Sequence, residues 1–307
     1  MTSLATPDSA LVWEAVCEAL SGLRREGRRH DLADLDLRST RELVTAVLDG
    51  SHEAARAALD SAGALSALVD DVAARLERGG RLVYVGAGTS GALAELDAAE
   101  WEGTFSAGER VLVLSVPLGG GEDDPDAGRA AISNADVSER DVVVGVSASG
   151  STPYVLAAVE EAKRRGAGTG CVVCAAGSPL GRAVDREVVA DVGPEVLSGS
   201  TRLKAGSAQK AVLDALSTAT MIKLGATYGD LMVSVRPDND KLRARARRTV
   251  ELATSASADD VEDAMRAAGG DPKVAIVSLL GEVDIGTARE RLAAAGGVVR
   301  RALEESK

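Results

Sequence analysis

Arg81-Leu-Val-Tyr-Val85 runs straight into Gly86-Ala-Gly-Thr-Ser-Gly91, and later Asp141-Val-Val-Val-Gly-Val146 runs into Ser147-Ala-Ser-Gly-Ser-Thr152. Each stretch joins a short apolar run, rich in β-branched residues, to a turn of small residues and hydroxyls, with a helical pattern behind it. Three more such runs follow the same rhythm, at Arg110–Val116, Gly170–Cys174 and Glu187–Val192. The runs near residues 83, 144 and 172 are almost continuously apolar, as strands buried on both faces of a parallel sheet are. Helical patterns at Ala92–Glu102, Asp126–Ile132 and Pro153–Arg165 separate them. The alternation predicts an α/β domain with a doubly wound, parallel, five-stranded sheet flanked by helices.

Both hydroxyl-rich turns sit at carboxyl ends of strands and open helices, where ligands bind in open α/β sheets. Backbone N–H groups, side-chain O–H groups and the helix dipoles can converge there on one anion. Gly86-Ala-Gly-Thr-Ser-Gly91 matches the Gly-x-Gly-x-x-Gly of dinucleotide sites. Against that, Asp97 and Glu100 fall inside the following helix, and the next strand ends at Val116 without a ribose-binding acid. No Gly-Lys-Ser/Thr follows, so a Walker loop is excluded. Two hydroxyl-rich turns on neighbouring strands favour a single phosphate on a small ligand over a dinucleotide.

Outward from this centre, Ser39-Thr-Arg-Glu42 reads as a capping box before a helix at Leu43–Leu48. Ser9–Leu23 has helical spacing, and Ser51–Arg78 reads as one long helix. Leu203–Leu224 and Asp238–Ser255 are further helices, the second carrying Lys241, Arg243, Arg245, Arg247 and Arg248, which reads as a solvated face rather than an anion site. Ala258–Ala268, Lys273–Leu280 and Ile285–Leu303 form a small helical region. The domain organisation expected is a helical N-terminal segment over 1–50, the α/β domain over 51–252 and the helical C-terminal region over 253–307.

Composition narrows the function. The chain has 307 residues, of which 45% are apolar and 27% charged, a balance that supports a sizeable core. The net charge of -12 disfavours nucleic acid as a partner, and an aromatic content of 2% disfavours stacking surfaces. Two histidines, His30 and His52, starve most metal and Ser-His-Asp schemes. Three cysteines, Cys17, Cys171 and Cys174, cannot frame a disulfide scaffold and point to an intracellular, cytoplasmic protein. Cys171-Val-Val-Cys174 reads as a buried strand rather than a zinc or redox pair. No signal peptide pattern and no apolar run of membrane-spanning length is evident.

Beyond the two turns, Leu96-Asp-Ala-Ala-Glu100, Ser147-Ala-Ser-Gly-Ser-Thr-Pro-Tyr154 and the long stretch Gly193-Pro-Glu-Val-Leu-Ser-Gly-Ser-Thr-Arg-Leu-Lys-Ala-Gly-Ser-Ala-Gln-Lys210 resemble the N-acetylmuramic acid 6-phosphate etherase family. Leu216-Ser-Thr-Ala-Thr-Met221 and Tyr228-Gly-Asp-Leu-Met232 extend the match, which runs from Arg81 to Val250 and weakens beyond. The resemblance implies a sugar isomerase (SIS) fold, a homodimer, and a carbon–oxygen lyase that needs neither metal nor other cofactor. It implies cleavage of the lactyl ether of N-acetylmuramic acid 6-phosphate to N-acetylglucosamine 6-phosphate and D-lactate. A base removes the proton at C2, an acid protonates the departing C3 oxygen, and water adds to the unsaturated aldehyde, so two carboxyl groups work in different protonation states.

By that resemblance Glu100 is the acid and Glu122, in Gly121-Glu-Asp-Asp124, the base. Gly88, Thr89, Ser90, Ser147, Ser149, Ser151 and Thr152 map onto the phosphate loops, and Glu195, Ser200, Arg202 and Lys204 onto the stretch that closes the pocket. The chain departs from the family pattern in several places. Ala92 and Ser151 stand where Arg is usual, Trp101-Glu-Gly-Thr104 replaces Cys-Pro-Pro-Thr, the segment before Glu122 is shorter, and the N-terminal Thr-Glu stretch is not recognisable. The lost guanidinium groups leave phosphate to hydroxyls and backbone. They also keep two alternatives open: a lyase or hydratase on a different phosphosugar, and a non-catalytic regulator resembling glucokinase regulatory protein. Four aromatic rings, Tyr84, Trp101, Phe105 and Tyr154, lie near these motifs in sequence and are expected to shape the pocket.

Overall fold

In the computed structural model, which describes residues 27–117, 119–235 and 239–304, the apolar runs form five strands. These are β1 (Leu82–Ala87), β2 (Val111–Val116), β3 (Val142–Ser147), β4 (Gly168–Val173) and β5 (Arg186–Val189), in one sheet of order β2-β1-β3-β4-β5. β1 with β3, β3 with β4 and β4 with β5 pair in parallel.

The reason for the unbroken apolar sequence is visible in the register. Val144 lies opposite Gly170 and Gly145 opposite Cys171. A Cβ at Gly170 would stand 2.6 Å from Leu68 of the helix α2 (Ala62–Glu77), whereas one at Gly145 would stand 3.0 Å from Val155 of the helix α5 (Pro153–Arg164). Successive positions on one strand thus face different helices, so neither face meets water and both parities are apolar. Cys171 and Cys174 are both buried, and burial, helped by the charge of Glu187, pushes the Cys171 thiol up to about 12.

The described residues divide into two units. The first comprises Leu82–Glu95, Val113–Asp214 and the described part of Met1–Leu68. Its N-terminal portion holds two short 3-10 turns, His30–Leu32 and Leu35–Leu37, and the helix α1 (Thr40–Asp60). Ser39 and Glu42 form the expected capping box. A single helix then continues through Gly50 and Ser51 and stops at Ser61, where a break after Leu48 and a helix over Ser51–Arg78 were expected. Gly50 persists in mid-helix because it is a packing residue: a Cβ there would lie 3.0 Å from Val196 and 3.2 Å from Lys204. The helix expected at Ser9–Leu23 lies outside the described residues. The helix α4 (Pro125–Asn134) lies against α5, which itself packs on β1, β3 and β4, and a five-residue helix α6 (Pro179–Ala183), not foreseen from the sequence, precedes β5.

The second unit comprises Val69–Arg81, Leu96–Leu112 and the described part of Ala215–Lys307. Its helices α8 (Asp240–Thr254), α9 (Ala258–Ala267), α11 (Ile285–Ala294) and α12 (Val299–Glu304) surround α10 (Pro272–Gly281). Four consecutive residues of α10, Val274 to Val277, are buried, as befits a helix enclosed on all sides. Asn239, Ser257, Asp271 and Asp284 each accept a backbone N–H at the start of their helices, which sets these boundaries. The stretch expected as one helix over Ile285–Leu303 breaks at Gly296 and Gly297, whose φ values of +64° and +79° end α11. Thr227–Tyr228 and Leu231–Met232 form a small hairpin around Gly229. The basic residues of α8 are exposed, with Arg243 paired to Asp240 at 2.6 Å and Arg248 to Glu251 at 2.9 Å, the solvated face expected.

Candidate active site

In the order β2-β1-β3-β4-β5 the chain leaves β1 toward one side of the sheet and rebuilds the rest on the other. A crevice therefore opens at the carboxyl ends of β1 and β3. There a cleft of about 240 Å³ is lined by Ala87, Gly88, Thr89, Ser90, Glu122, Ser147, Ala148, Ser149, Thr152, Gly199 and Thr201. The two hydroxyl-rich turns thus meet at one place. On the β1 side the chain passes at once from strand into the helix α3 (Gly88–Phe105), with Gly88 at φ +55°. A Cβ at Gly86 would come within 2.8 Å of the Gly91 backbone, so only glycine lets the turn fold this tightly.

On the β3 side the hydroxyls hold one another. Ser147 Oγ lies 2.9 Å from Thr152 Oγ1 and 3.3 Å from Ser149 Oγ, and it accepts the Gly150 N–H at 3.0 Å. Thr152 stands at the cap of α5 with Pro153 behind it. The N-termini of α3 and α5 both open toward the cleft, and their dipoles favour a negative charge there. Among the described residues, no Lys or Arg lines it. The positive potential for an anion therefore comes from hydroxyls, backbone and helix ends.

Glu122 supplies the one carboxylate of the lining. Its carbonyl accepts the Tyr154 N–H at 3.0 Å, which ties the turn after β2 to the first turn of α5. Asp124, not Glu122, caps α4, accepting the Asp126 and Ala127 N–H groups at 2.9 and 3.0 Å. The capping role is thus taken, and Glu122 stays in the cleft.

Of the residues singled out from sequence, Gly88, Thr89, Ser90, Glu122, Ser147, Ser149 and Thr152 are brought together. Ser151 is exposed just outside, its N–H donated to Ser149 Oγ at 3.1 Å. Glu100 is exposed on α3 and does not line the cleft. Ser200 and Arg202 do not line it either; their neighbours Gly199 and Thr201 do. Glu195 and Lys204 have internal partners. Wholly buried, Glu195 accepts the Lys204 and Ala205 N–H groups at 2.9 and 3.0 Å and so caps the helix α7 (Lys204–Lys223) from nine residues upstream. The Lys204 ammonium is buried and donates to Glu53 of α1, which also takes Arg29 at 3.0 Å. Burial works to raise the Glu53 carboxyl, but its hydrogen bond and charge pairing with Lys204, joined by Arg29, hold it below its ordinary value.

The aromatic rings do not shape the cleft. Tyr84, Trp101, Phe105 and Tyr154 are all core residues. Trp101 donates its Nε1–H to Asp97 at 3.2 Å, and Ser217 donates to the same carboxylate at 2.7 Å. Proximity in sequence to the motifs was misleading, because a side chain on a strand or helix next to a turn points into the sheet packing. Larger clefts exist in the first unit, one of about 400 Å³ beside Arg28, Arg29 and Leu32. Part of their charge is already paired: Arg29 with Asp31 and Glu53, and Arg38 with Asp34.

A strand-end cleft of hydroxyls and glycines in a 2-1-3-4-5 sheet agrees with what the chain is similar to. Residues 125–219 match the SIS domain, and residues 64–163 match the glucokinase regulatory protein N-terminal SIS domain. An N-acetylmuramic acid 6-phosphate etherase of Rubrobacter xylanophilus is 47% identical over 94% of this chain and 99% of its own length. Those of Streptomyces coelicolor and Deinococcus radiodurans are 45% and 44% identical, each over 92% of this chain and 94% and 96% of theirs. Likeness of that degree, spanning both units and both turns of the cleft, makes this chain a member of the N-acetylmuramic acid 6-phosphate etherase family.

Proposed function

We propose that this protein cleaves the lactyl ether of N-acetylmuramic acid 6-phosphate, releasing D-lactate and leaving N-acetylglucosamine 6-phosphate. The observation that carries the reading is Glu122 in the same cleft as the hydroxyl-rich phosphate turns. The 6-phosphate seats on Ser90, Ser147, Ser149 and Thr152, facing the two helix N-termini. Glu122, as carboxylate, takes the C2 proton of the open-chain sugar. The resemblance to the family assigns Glu100 as the acid that gives a proton to the C3 oxygen as the lactate leaves, and water then adds at C3 of the unsaturated aldehyde. Each carboxyl group ends the elimination in the other's starting state, so the hydration step can return both protons.

D-lactate release from N-acetylmuramic acid 6-phosphate tests the reading directly. Glu100→Gln and Glu122→Gln should each lower kcat by at least about 100-fold, the usual worth of a positioned acid or base. Deuterium exchange at C2 in solvent D₂O should survive in Glu100→Gln and vanish in Glu122→Gln. Exchange lost from the first and kept by the second would reverse the assignments. We infer further that the enzyme works as a homodimer in the cytoplasm. Exposed Val44, Val47 and Leu48 on α1 offer apolar surface for self-association, and the reduced Cys171 and Cys174 suit a reducing compartment. Light scattering on the purified chain would show a monomer if this is wrong.

A further inference from the structure

Gln209 of α7 is buried to 1% exposure, and its side-chain carbonyl accepts the Ser90 hydroxyl at 3.0 Å. Ser90, 8% exposed, is one of the residues lining the phosphate cleft. The amide nitrogen of Gln209 is buried without a hydrogen-bond partner among the described residues. Few groups inside a protein are left in that condition, because an orphaned N–H loses its hydration and gains nothing. The orphan here stands directly behind a residue of the proposed phosphate site.

A serine hydroxyl has one proton to give. While it donates to the Gln209 carbonyl, it has none for a ligand. Turned about its last torsion, the Gln209 amide would present its nitrogen to Ser90 instead. Ser90 Oγ would then accept from Gln209 and send its own proton into the cleft. The turn exchanges one orphan for another, the amide N–H gaining Ser90 as the carbonyl loses it, so an acceptor in the cleft decides which orientation is held. We propose that Gln209 is a positioning residue for phosphate recognition, an amide that sets the direction of the Ser90 hydroxyl proton and turns when the phosphate arrives. The inference rests on the phosphosugar reading of the cleft and assigns a role to a residue outside its lining.

The test uses inorganic phosphate as the probe, so that it reads binding whether or not the ether is cleaved. Gln209→Met keeps the volume and removes both polar atoms. It should weaken phosphate binding about tenfold, the worth of one hydrogen bond to a charged group, while the unfolding midpoint holds or rises because a buried orphan has gone. Gln209→Glu, which once ionised can only accept from Ser90, should bind phosphate more weakly than Gln209→Met at pH values where its carboxyl is charged. In the double variant with Ser90→Ala, the Gln209→Met change should add no further loss, since the effect passes through Ser90. With the sugar substrate the loss should fall on KM rather than kcat.

Native phosphate affinity in Gln209→Met, full additivity with Ser90→Ala, or a wild type that does not bind phosphate overturns the proposal. If Gln209→Met fails to fold, Gln209→Glu carries the comparison. A wild type that binds phosphate through Ser90 yet releases no D-lactate refutes the etherase reading and leaves this one standing.

Discussion

Ser151 stands exposed at the mouth of the proposed phosphate cleft, at a position where the family resemblance leads one to expect an arginine. Its neighbours make the consequence physical: among the described residues the lining holds hydroxyls, small residues and one carboxylate, but no cation. Neutral donors bind a phosphate with roughly half the strength of charged ones. Ser151→Arg should therefore tighten binding, lowering KM for the phosphosugar by about tenfold, since a charge-assisted hydrogen bond is worth about 1.5–3 kcal/mol. Steady-state kinetics at fixed ionic strength check this, and the gain should shrink as salt is raised. An unchanged KM would mean that the two helix ends and the hydroxyls already saturate the phosphate. At this scale the sequence was legible where a residue type has one job. Gly88, Ser147 and Thr152 are where their motifs put them. It was illegible where neighbours compete: Ser200 was expected in the lining, and Gly199 and Thr201 occupy it, because a turn alternates its side chains in a way no periodicity reveals.

At the scale of elements, the cleft depends on close approach. Gly150 has φ +63°, and a Cβ on it would overlap the Ser178 side chain that caps α6. Gly128 of α4 is equally confined, since a Cβ there would overlap the Tyr154 carbonyl of α5. Gly150→Ala combines left-handed backbone with that overlap and should cost about 2–4 kcal/mol. Urea unfolding would read the loss, and the phosphate turn should lose ligand affinity with it. A neutral Gly150→Ala would show that the turn has another conformation open to it. Strands and long helices were readable from pattern alone, because burial on both faces dictates apolar runs and one-sided burial dictates helical spacing. The breaks were less so. Gly50 did not end α1, since tertiary packing against Val196 and Lys204 overrides its poor helix propensity. The glycines at 296 and 297 did end α11. The same residue type gives opposite outcomes according to what lies beside it.

For the whole molecule, acid sensitivity follows from a few carboxylates held in the ionised state. Glu161, on α5, is buried and takes Arg164 at 2.6 Å and Arg165 at 2.7 Å. Hydrogen bonds from Arg164, then from Arg165, hold its carboxyl at about 2. An unfolded glutamate titrates near about 4.3, so the folded state binds the proton less well. The stabilisation is complete above that unfolded value and is lost as pH falls through the folded one. Glu161→Gln should therefore be less stable than wild type at pH 7, with the gap closing between about pH 5 and pH 2. Chemical unfolding at pH 7 and pH 3 measures it, and a gap of equal size at both values would assign the effect to packing rather than charge. The chain's own sequence settled its class and the identity of the two turns, since strand burial, glycine placement and hydroxyl content are local properties written residue by residue. Only the tertiary structure brought those turns to one crevice with Glu122, turned the aromatic rings away into the core, paired Lys204 with Glu53, and set Gln209 behind Ser90. Those outcomes depend on which distant segments meet, and contact between residues far apart in the chain leaves no trace in local pattern.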